Sequence, residues 1–452
     1  SLINNYPENE YILFTNPALF DLKIYFSDVI NKNKFNVIYF ECPTVGNINE
    51  NFVGKYSRSW LSTQLRSYSL SLLRADVILI TSFFDGFRDN SLVSHDISFS
   101  LPPVVSILYD LIPLIHVEQY LDSDPEFKIF YLQKIKELSK LDGLLAISQS
   151  SLDEAVKFLD FDSECIYNIS SACNDKTFSS PSKSSPFDSN PIDYLGKFLL
   201  YCGATDPRKN LYRLIEAYSL LSTDLITKHK LVLTGPYTDE EKVLIKDWIT
   251  GFGLCHECVV FLGYVNDIEL VNLYRNCYLF VFPSLHEGFG LPVLEAMNCN
   301  APVIASNATS LPELIGCQEF LFDPNNSKDI SSLIDKALTN DEFYQSICSN
   351  SLKRCKDFSW VNTAKRTINA LKKIIEKKSI ITSSKNFISF KNEQYEILIN
   401  NLRESPIVQL KDKSSLEYIK LLASAISIIN HQLEKLELLS LSNNGTRFSW
   451  KI

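Results

Sequence analysis

The sequence predicts an α/β protein built from two open parallel-sheet domains that face each other across a cleft, followed by a helical extension. Three observations carry this expectation. Two successive runs of short apolar segments alternate with amphipathic ones, a serine- and proline-rich break separates the runs, and the texture changes near residue 380. A length of 452 residues is also long for one core and suits two domains of ordinary size.

In the first run, YILFTNP, FNVIYFECP, DVILITS, PVVSILYD, GLLAIS and ECIYNIS are short, apolar and rich in Val, Ile and aromatics. Such segments read as strands. SRSWLSTQLRSYSLSLLRA and PEFKIFYLQKIKELSKL lie between strands and read as amphipathic helices. Continuous apolar strands alternating with helices point to a parallel sheet covered on both faces. LDSDPEF, with its spaced aspartates before a helix pattern, reads as a helix start. This run defines a first domain over residues 1–178, and SSPSKSSPFDSNP begins a linker over 179–193.

The second run defines a domain over 194–378. Its strand candidates are KFLLYCG, HKLVLTG, CVVFLGY, CYLFVFP, APVIAS and EFLFDP. RLIEAYSLL, DEEKVLIKDWITGF, DIELVNLYRN and LPVLEAM are the helix candidates between them. Ligands of such sheets bind at the carboxyl ends of the strands, and a cleft between two of them is the default site. Residues 379–440 form the expected helical extension. There Leu416, Ile419, Leu422, Ile426, Ile429, Leu433 and Leu436 step by three and four, the pattern of an amphipathic or coiled-coil-like helix. Such a helix packs on its own domain or takes a partner through 416–436.

Composition excludes several classes. The apolar fraction of 45% argues against global disorder, and a net charge of −9 argues against a general nucleic-acid binder. The longest apolar candidate, LLASAISII, is far short of a membrane span. No signal-peptide pattern opens the chain, and eleven scattered cysteines fit a reduced, cytoplasmic setting. No G-x-G-x-x-G follows a strand, which disfavours a dehydrogenase.

Two stretches could carry chemistry. GATDPRKN (203–210) follows an apolar strand and precedes a helix pattern, so Gly203 opens a turn whose N–H groups and helix dipole favour an anion. Arg208 adds a planar fork and Lys209 a point charge, which suit a diphosphate. A solvated basic turn with Asp206 as helix cap is the plain alternative. The second stretch is HEGFGLPVLEA (286–296), just after YLFVFP. Pro292 suits the first turn of a helix, which puts Glu287 in the loop and Glu295 about one turn in. Gly288 and Gly290 would let the backbone approach a ligand. A carboxylate accepts two hydrogen bonds from the paired hydroxyls of a sugar or ribose. The alternative is an exposed Glu295 and a capping Glu287.

The run from VVFLGYVND through YLFVFPSLHEGFGLPVLEAMNCNAPVIAS to LPELIG resembles the donor-binding half of glycosyltransferase family 4, whose members are retaining enzymes of the GT-B fold, with two Rossmann-like domains. GATDPRKN matches that family's phosphate-binding turn. In the first half, YDLIPLIHVEQYL and LLAISQSSLDEAVKFL resemble segments of its polysaccharide and O-antigen mannosyltransferases. The likeness covers roughly residues 10–375, and E-x7-E around GFGLP is its most specific signal.

The resemblance implies roles. Glu287 would contact hydroxyls of the donor sugar. The amides around Gly288, at Phe289, Gly290 and Leu291, would bind the sugar or diphosphate, and Glu295 would hold the ribose. Arg208 and Lys209 would neutralise the leaving diphosphate. Tyr264 and Val265 fall where the family places the nucleobase. Asp110 is the candidate for acceptor or reacting-centre work, with Glu287 as the other catalytic candidate. The implied partners are a nucleotide-sugar, GDP-mannose as first guess, and a glycan or lipid-linked glycan acceptor, with peripheral association at the inner face of the cell membrane.

No cofactor and no metal are expected, since no D-x-D pair ends a strand at the cleft and Arg208, Lys209 and a helix end can carry the charge. CHEC (255–258) has metal-ligand spacing but lacks a second pair. His116 could donate to substrate, although a lone loop histidine is more often structural. Thr81 and Ser82 end DVILITS where some family members carry a histidine, a departure at this end of the cleft. The opening SLINNYPENEYILFTN resembles the segment after the family's first strand and loop, and the closing 441–452, containing NNGTRFSWKI, resembles the start of another module. The sequence thus reads as an excerpt of a multi-module protein, with a single enzyme that has lost its start as the alternative, and weak or no turnover is expected for this excerpt alone. Two other functions fit the same residues: a nucleotide-sugar-binding module without turnover, and a nucleotide-sugar epimerase.

Overall fold

A computed structural model describes residues 2–15, 35–39, 52–73, 75–88, 91–179, 195–379 and 387–404. The linker over 179–193, except Ser179, the heptad stretch 416–436 and the segment 441–452 lie outside them.

The second half is one parallel sheet. Strands β7 (Phe198–Cys202), β8 (Lys230–Thr234), β9 (Val259–Gly263), β10 (Leu279–Phe282), β11 (Val303–Ser306) and β12 (Leu321–Phe322) lie in the order β12-β11-β10-β7-β8-β9. This is the strand order of the doubly wound nucleotide-binding fold. The order reverses between β7 and β10, which pair directly through Leu279 opposite Leu199 and Phe280 opposite Leu200. Burial explains the sequence pattern: every residue of LFVF in β10 and VIAS in β11 is fully buried, as expected where helices cover both faces. Helix starts are fixed locally. Thr238 with Glu241 and Asn266 with Glu269 each form a reciprocal cap at the helices Asp239–Gly251 and Asp267–Asn276.

The first half holds a four-stranded parallel sheet of β3 (Ile78–Ile80), β4 (Val104–Leu108), β5 (Gly143–Ala146) and β6 (Ile166–Asn168), in sequential order. Strands β1 (Tyr11–Thr15) and β2 (Phe35–Tyr39) form a separate parallel pair among the described residues. LDSDPEF starts a helix as the sequence predicts. Asp124 accepts from Phe127 N at 3.0 Å, and Pro125 takes the first helical position of Pro125–Leu138.

Two helices return to the first half. Trp360–Ser379 places Ala370, Leu371 and Ile374 in one cluster with Val77, Val105, Leu145 and Ile169. A Cβ on Gly143 would lie 2.4 Å from the Ile374 side chain. The boundary drawn at 378 from sequence order therefore cuts across the packing. An amphipathic stripe announces that a helix is half buried, not which sheet buries it. The helix Phe387–Glu404 then packs Leu398 and Leu402 against Leu61, Leu65 and Tyr68 of the helix Phe52–Leu72.

The all-thiol expectation is corrected at one place. Cys255 and Cys258 are disulfide-bonded with Cα atoms 5.5 Å apart, because the short turn His256–Cys258 brings these neighbours together. CHEC spends its two sulfurs on each other. Among the described residues, no helix is long and apolar enough to cross a membrane.

Candidate functional site

The loops that leave β7 and β10 sit side by side at the switch point of the six-stranded sheet. Both carry the residues singled out in the sequence. After β7 the chain passes Gly203, where Gly235 approaches so closely that a Cβ on it would lie 2.1 Å from the Gly203 carbonyl oxygen. Asp206 then caps a tight turn, Pro207–Lys209, by accepting from Arg208 N at 3.0 Å. It does not cap the helix itself. That helix, Leu211–Ser219, starts after Asn210, which holds a left-handed φ of 60° and donates through Nδ2 to the carbonyls of Pro283 and Pro324 at 3.0 and 2.8 Å. Asn210 thus ties the two loops together at their roots.

The loop after β10 is fixed at Glu287. Its N–H donates to Thr309 Oγ1 at 3.0 Å, and its carbonyl accepts from Ser310 Oγ at 2.9 Å. The Glu287 carboxylate is buried and paired with both cations of the neighbouring loop. Lys209 Nζ lies 2.6 Å from Oε1 and Arg208 NH1 lies 3.3 Å from Oε2. Arg208 also donates to the His286 carbonyl at 3.1 Å. Burial alone would lower the Arg208 pKa, but the carboxylates of Glu287 and Asp206 outweigh it and raise it. Sequence reasoning gave the cations to a diphosphate and the carboxylate to a sugar. The structure joins all three directly.

The glycines divide by reason. Gly290 has φ 100°, and a Cβ there would lie 2.7 Å from Leu311 Cδ2, so the turn into Leu291–Asn298 needs it. Gly288 was expected to admit a ligand. It also admits the first half: a Cβ would lie 2.7 Å from the Tyr109 carbonyl oxygen and 3.0 Å from Asp110 Cβ. Asp110 therefore abuts the GFG loop. Burial raises its carboxyl pKa, opposed by the hydrogen bond it accepts from Ile112 N at 3.0 Å and by Arg208. The Phe289 side chain is buried against Phe358, and Leu291 is exposed at the helix start.

Glu295 lies one turn into the helix Leu291–Asn298, apart from the Glu287 pair. Its carboxylate accepts from Tyr274 Oη at 3.3 Å, and burial pushes its pKa up to about 7. Tyr264 is 79% exposed beyond β9, with Val265 half-buried beside it. Thr81 and Ser82 follow β3, and Ser82 donates to Asp85 at 2.7 Å.

Tyr120, Gln119 and Glu154 escaped the sequence reading, and His116 was singled out without its partners. Tyr120 Oη donates toward both Asp206 oxygens at 2.8 Å, and Gln119 Nε2 reaches Asp206 Oδ1 at 3.1 Å. Burial, then Asp206, pushes the Tyr120 hydroxyl up to about 12. His116 Nε2 lies 3.0 Å from His286 Nδ1, and His286 Nε2 lies 2.9 Å from Glu154 Oε1. That last contact is off the N–H line and so is electrostatic more than a straight hydrogen bond. His286 stood inside HEGFGLP, but no spacing signalled its partners. A cavity of about 470 Å³ opens here between the halves, lined in part by Ile115, Glu154, Lys157, Phe158, His286 and Thr309.

Comparison with known proteins adds lineage to this geometry. Residues 184–354 match the family model described as glycosyl transferases group 1. The serotype-specific mannosyltransferase WbdA of Escherichia coli is 35% identical over 360 residues, which is 79% of this chain and 43% of WbdA. The chain is a GT-B-fold relative of these glycosyltransferases. It is also 34% identical to O-antigen chain mannosyltransferase B of Escherichia coli over 252 residues, covering 55% of this chain and 65% of that protein. It spans less than half the length of WbdA. Among solved structures, Anabaena Alr3699/HepE in complex with UDP and glucose aligns with TM-score 0.56 at 18% identity, over 80% of this chain and all of that one. That likeness concerns the fold: two parallel-sheet domains with flanking helices.

Proposed function

We propose that the chain is a retaining, metal-independent glycosyltransferase that moves a sugar from a nucleotide-sugar to a glycan acceptor in surface-polysaccharide synthesis. GDP-mannose is the first donor to test, because the relatives WbdA and O-antigen chain mannosyltransferase B are named mannosyltransferases. One observation carries the reading: Arg208, Lys209 and Glu287 converge at the switch point, where the strand order opens a crevice for a nucleotide.

The chemistry follows from charge. Breaking the sugar–phosphate bond sends its electron pair to the diphosphate and leaves positive charge on the sugar. Arg208 and Lys209 then take the diphosphate in exchange for the Glu287 carboxylate. Glu287, released, accepts hydroxyls of the sugar and faces its developing positive charge. Fixed donors aimed at the negative charge developing on the diphosphate are each worth about 3 kcal/mol. Glu295 holds the ribose and Tyr264 and Val265 border the base. The acceptor enters through the cavity beside Glu154, with Asp110 at the meeting of the halves.

The test pairs a thermal-shift screen over GDP-, UDP-, dTDP- and ADP-sugars with donor hydrolysis and transfer. Ligand at 100 times Kd should stabilise by about 2.7 kcal/mol. Transfer that disappears in Glu287→Ala supports the reading. Binding without hydrolysis or transfer would make the chain a nucleotide-sugar-binding module instead.

A further inference from the structure

Three side chains from three separate segments stand in a row where the halves meet. Glu154 comes from the helix Gln149–Phe158, His286 from the loop after β10, and His116 from the turn between Ile112–Ile115 and Val117–Tyr120. The contacts are 2.9 Å from Glu154 Oε1 to His286 Nε2 and 3.0 Å from His286 Nδ1 to His116 Nε2. The side chains of His286 and Glu154 are only 8% and 12% exposed. Glu154 Oε2 has no hydrogen-bond partner in the protein.

The row biases where protons sit. The Glu154 carboxyl oxygen lies 2.9 Å from His286 Nε2 but off its N–H line, so it is the charge of the carboxylate, not a straight hydrogen bond, that favours a proton on Nε2. In neutral His286, Nδ1 is then a bare acceptor. His116 Nε2 must donate to it, which leaves His116 Nδ1 with its lone pair. Among the described residues, the hydrogen bond of His116 is made through Nε2. If the pair takes up a proton, His286 becomes a double donor, His116 accepts at Nε2, and Nδ1 of His116 turns from acceptor to donor. We infer that Glu154 and His286 are positioning residues that hold His116 in its Nε2–H tautomer, presenting Nδ1 as an acceptor for a substrate hydroxyl. A buried second partner commonly fixes the tautomer of a working histidine in this way.

The inference rests on the glycosyltransferase reading for its substrate, but not for its tautomers. The groups acting on His116 are His286 and Arg208, which disfavour its charge, and Glu154 and Asp206, which favour it; burial is the largest influence and also disfavours it. Asp110 stands in the same cluster, coupled to Arg208, Glu154 and His286. The Tyr120 ring packs edge-on to His116 with centroids 6.5 Å apart. Removing the Glu154 charge therefore lets His116 stay neutral to lower pH.

The test uses the full chain with ¹⁵N-labelled histidine, assigned with His116→Gln and His286→Gln. Both rings should show Nε2–H and bare Nδ1 near neutral pH. Glu154→Leu should put His286 into a mixture of tautomers. Glu154→Gln, which keeps the shape but loses the charge and can donate as well as accept, should do the same. In transfer assays Glu154→Gln should move the acid limb of kcat to lower pH by about one unit, the size of effect a neighbouring charge produces. His286 protonated on Nδ1 in the native protein, or tautomers and acid limb indifferent to Glu154, would overturn the inference. If a Leu variant does not fold, the Gln variant and the native spectrum still decide. A native chain with the stated tautomers but no donor binding or transfer would sink the glycosyltransferase reading alone.

Discussion

Replacing Glu287 with Gln should have two effects of opposite sign. The carboxylate touches Lys209 at 2.6 Å and Arg208 at 3.3 Å, with side-chain exposures of 9%, 15% and 22% for Glu287, Lys209 and Arg208. At an effective dielectric of about 20, each contact is a gross attraction of roughly 5 kcal/mol. Desolvation of the three groups takes back most of this. Removing one partner of a buried pair still costs about 3 kcal/mol, because the others stay charged. The two cations retain some water, so the lower end of the usual range applies. Glu287→Gln should therefore melt earlier than the native chain.

The same change leaves Arg208 and Lys209 without their anion. A diphosphate then meets two uncommitted cations and no competing carboxylate. Nucleoside diphosphate lacking a sugar should bind the variant about tenfold more tightly, near 1.4 kcal/mol. Transfer should nevertheless fall at least a hundredfold, because the sugar has lost its acceptor. Melting curves and titration calorimetry with GDP and UDP read the first two effects, and a transfer assay reads the third. A variant that binds diphosphate more weakly than the native chain would refute the idea that Glu287 holds the place of the phosphates.

Other perturbations test the remaining geometry. Glu295 has a folded pKa near 7, raised by burial from 4.5, so the unfolded chain ionises first as pH rises. The native state should lose up to about 3 kcal/mol relative to Glu295→Gln between pH 4.5 and 7 and none below that window, as denaturant melts at several pH values can show. Gly288→Ala would drive a methyl into the Tyr109 carbonyl. It should cost about 1–3 kcal/mol by overpacking and reduce transfer, with small-angle scattering reporting whether the halves separate. Tyr120→Phe removes the hydroxyl that donates to Asp206. Bonds to charged groups are worth about 1.5–3 kcal/mol, so the melting midpoint should fall and kcat/KM should drop roughly tenfold as the Arg208 turn loses this brace.

Much of this was legible because local signals and global fold agree. LFVF and VIAS are fully buried strands and read so, since segments between two helical layers are mostly apolar and the one hydroxyl, Ser306, donates to the Ser284 carbonyl. Arg208, Lys209 and Glu287 stand out in the sequence because each sits in a loop that a strand delivers to one edge. Their mutual pairing was not legible: sequence gives the type of charge, not which charge reaches it first. Glu154 is 132 residues from His286, and no period or spacing links them. The reason for Gly288 was half legible. A glycine announces close approach, but here a second body approaches as well as any ligand. The returning helix Trp360–Ser379 showed its stripe and hid its destination.

That returning helix has a consequence for how the molecule can open. The chain passes from the first half to the second and, after residue 354, comes back to seal Val105 and Leu145 under Leu371 and Ile374. The two halves are strapped at two places rather than strung like beads. Opening of the cleft must then carry the helix Trp360–Ser379 along with the first half. Cutting the chain at 354 to isolate the nucleotide-binding half would also strip an apolar cover from the half left behind. The fragment that most resembles a free-standing domain in sequence is the one whose removal would leave its neighbour with a bare core.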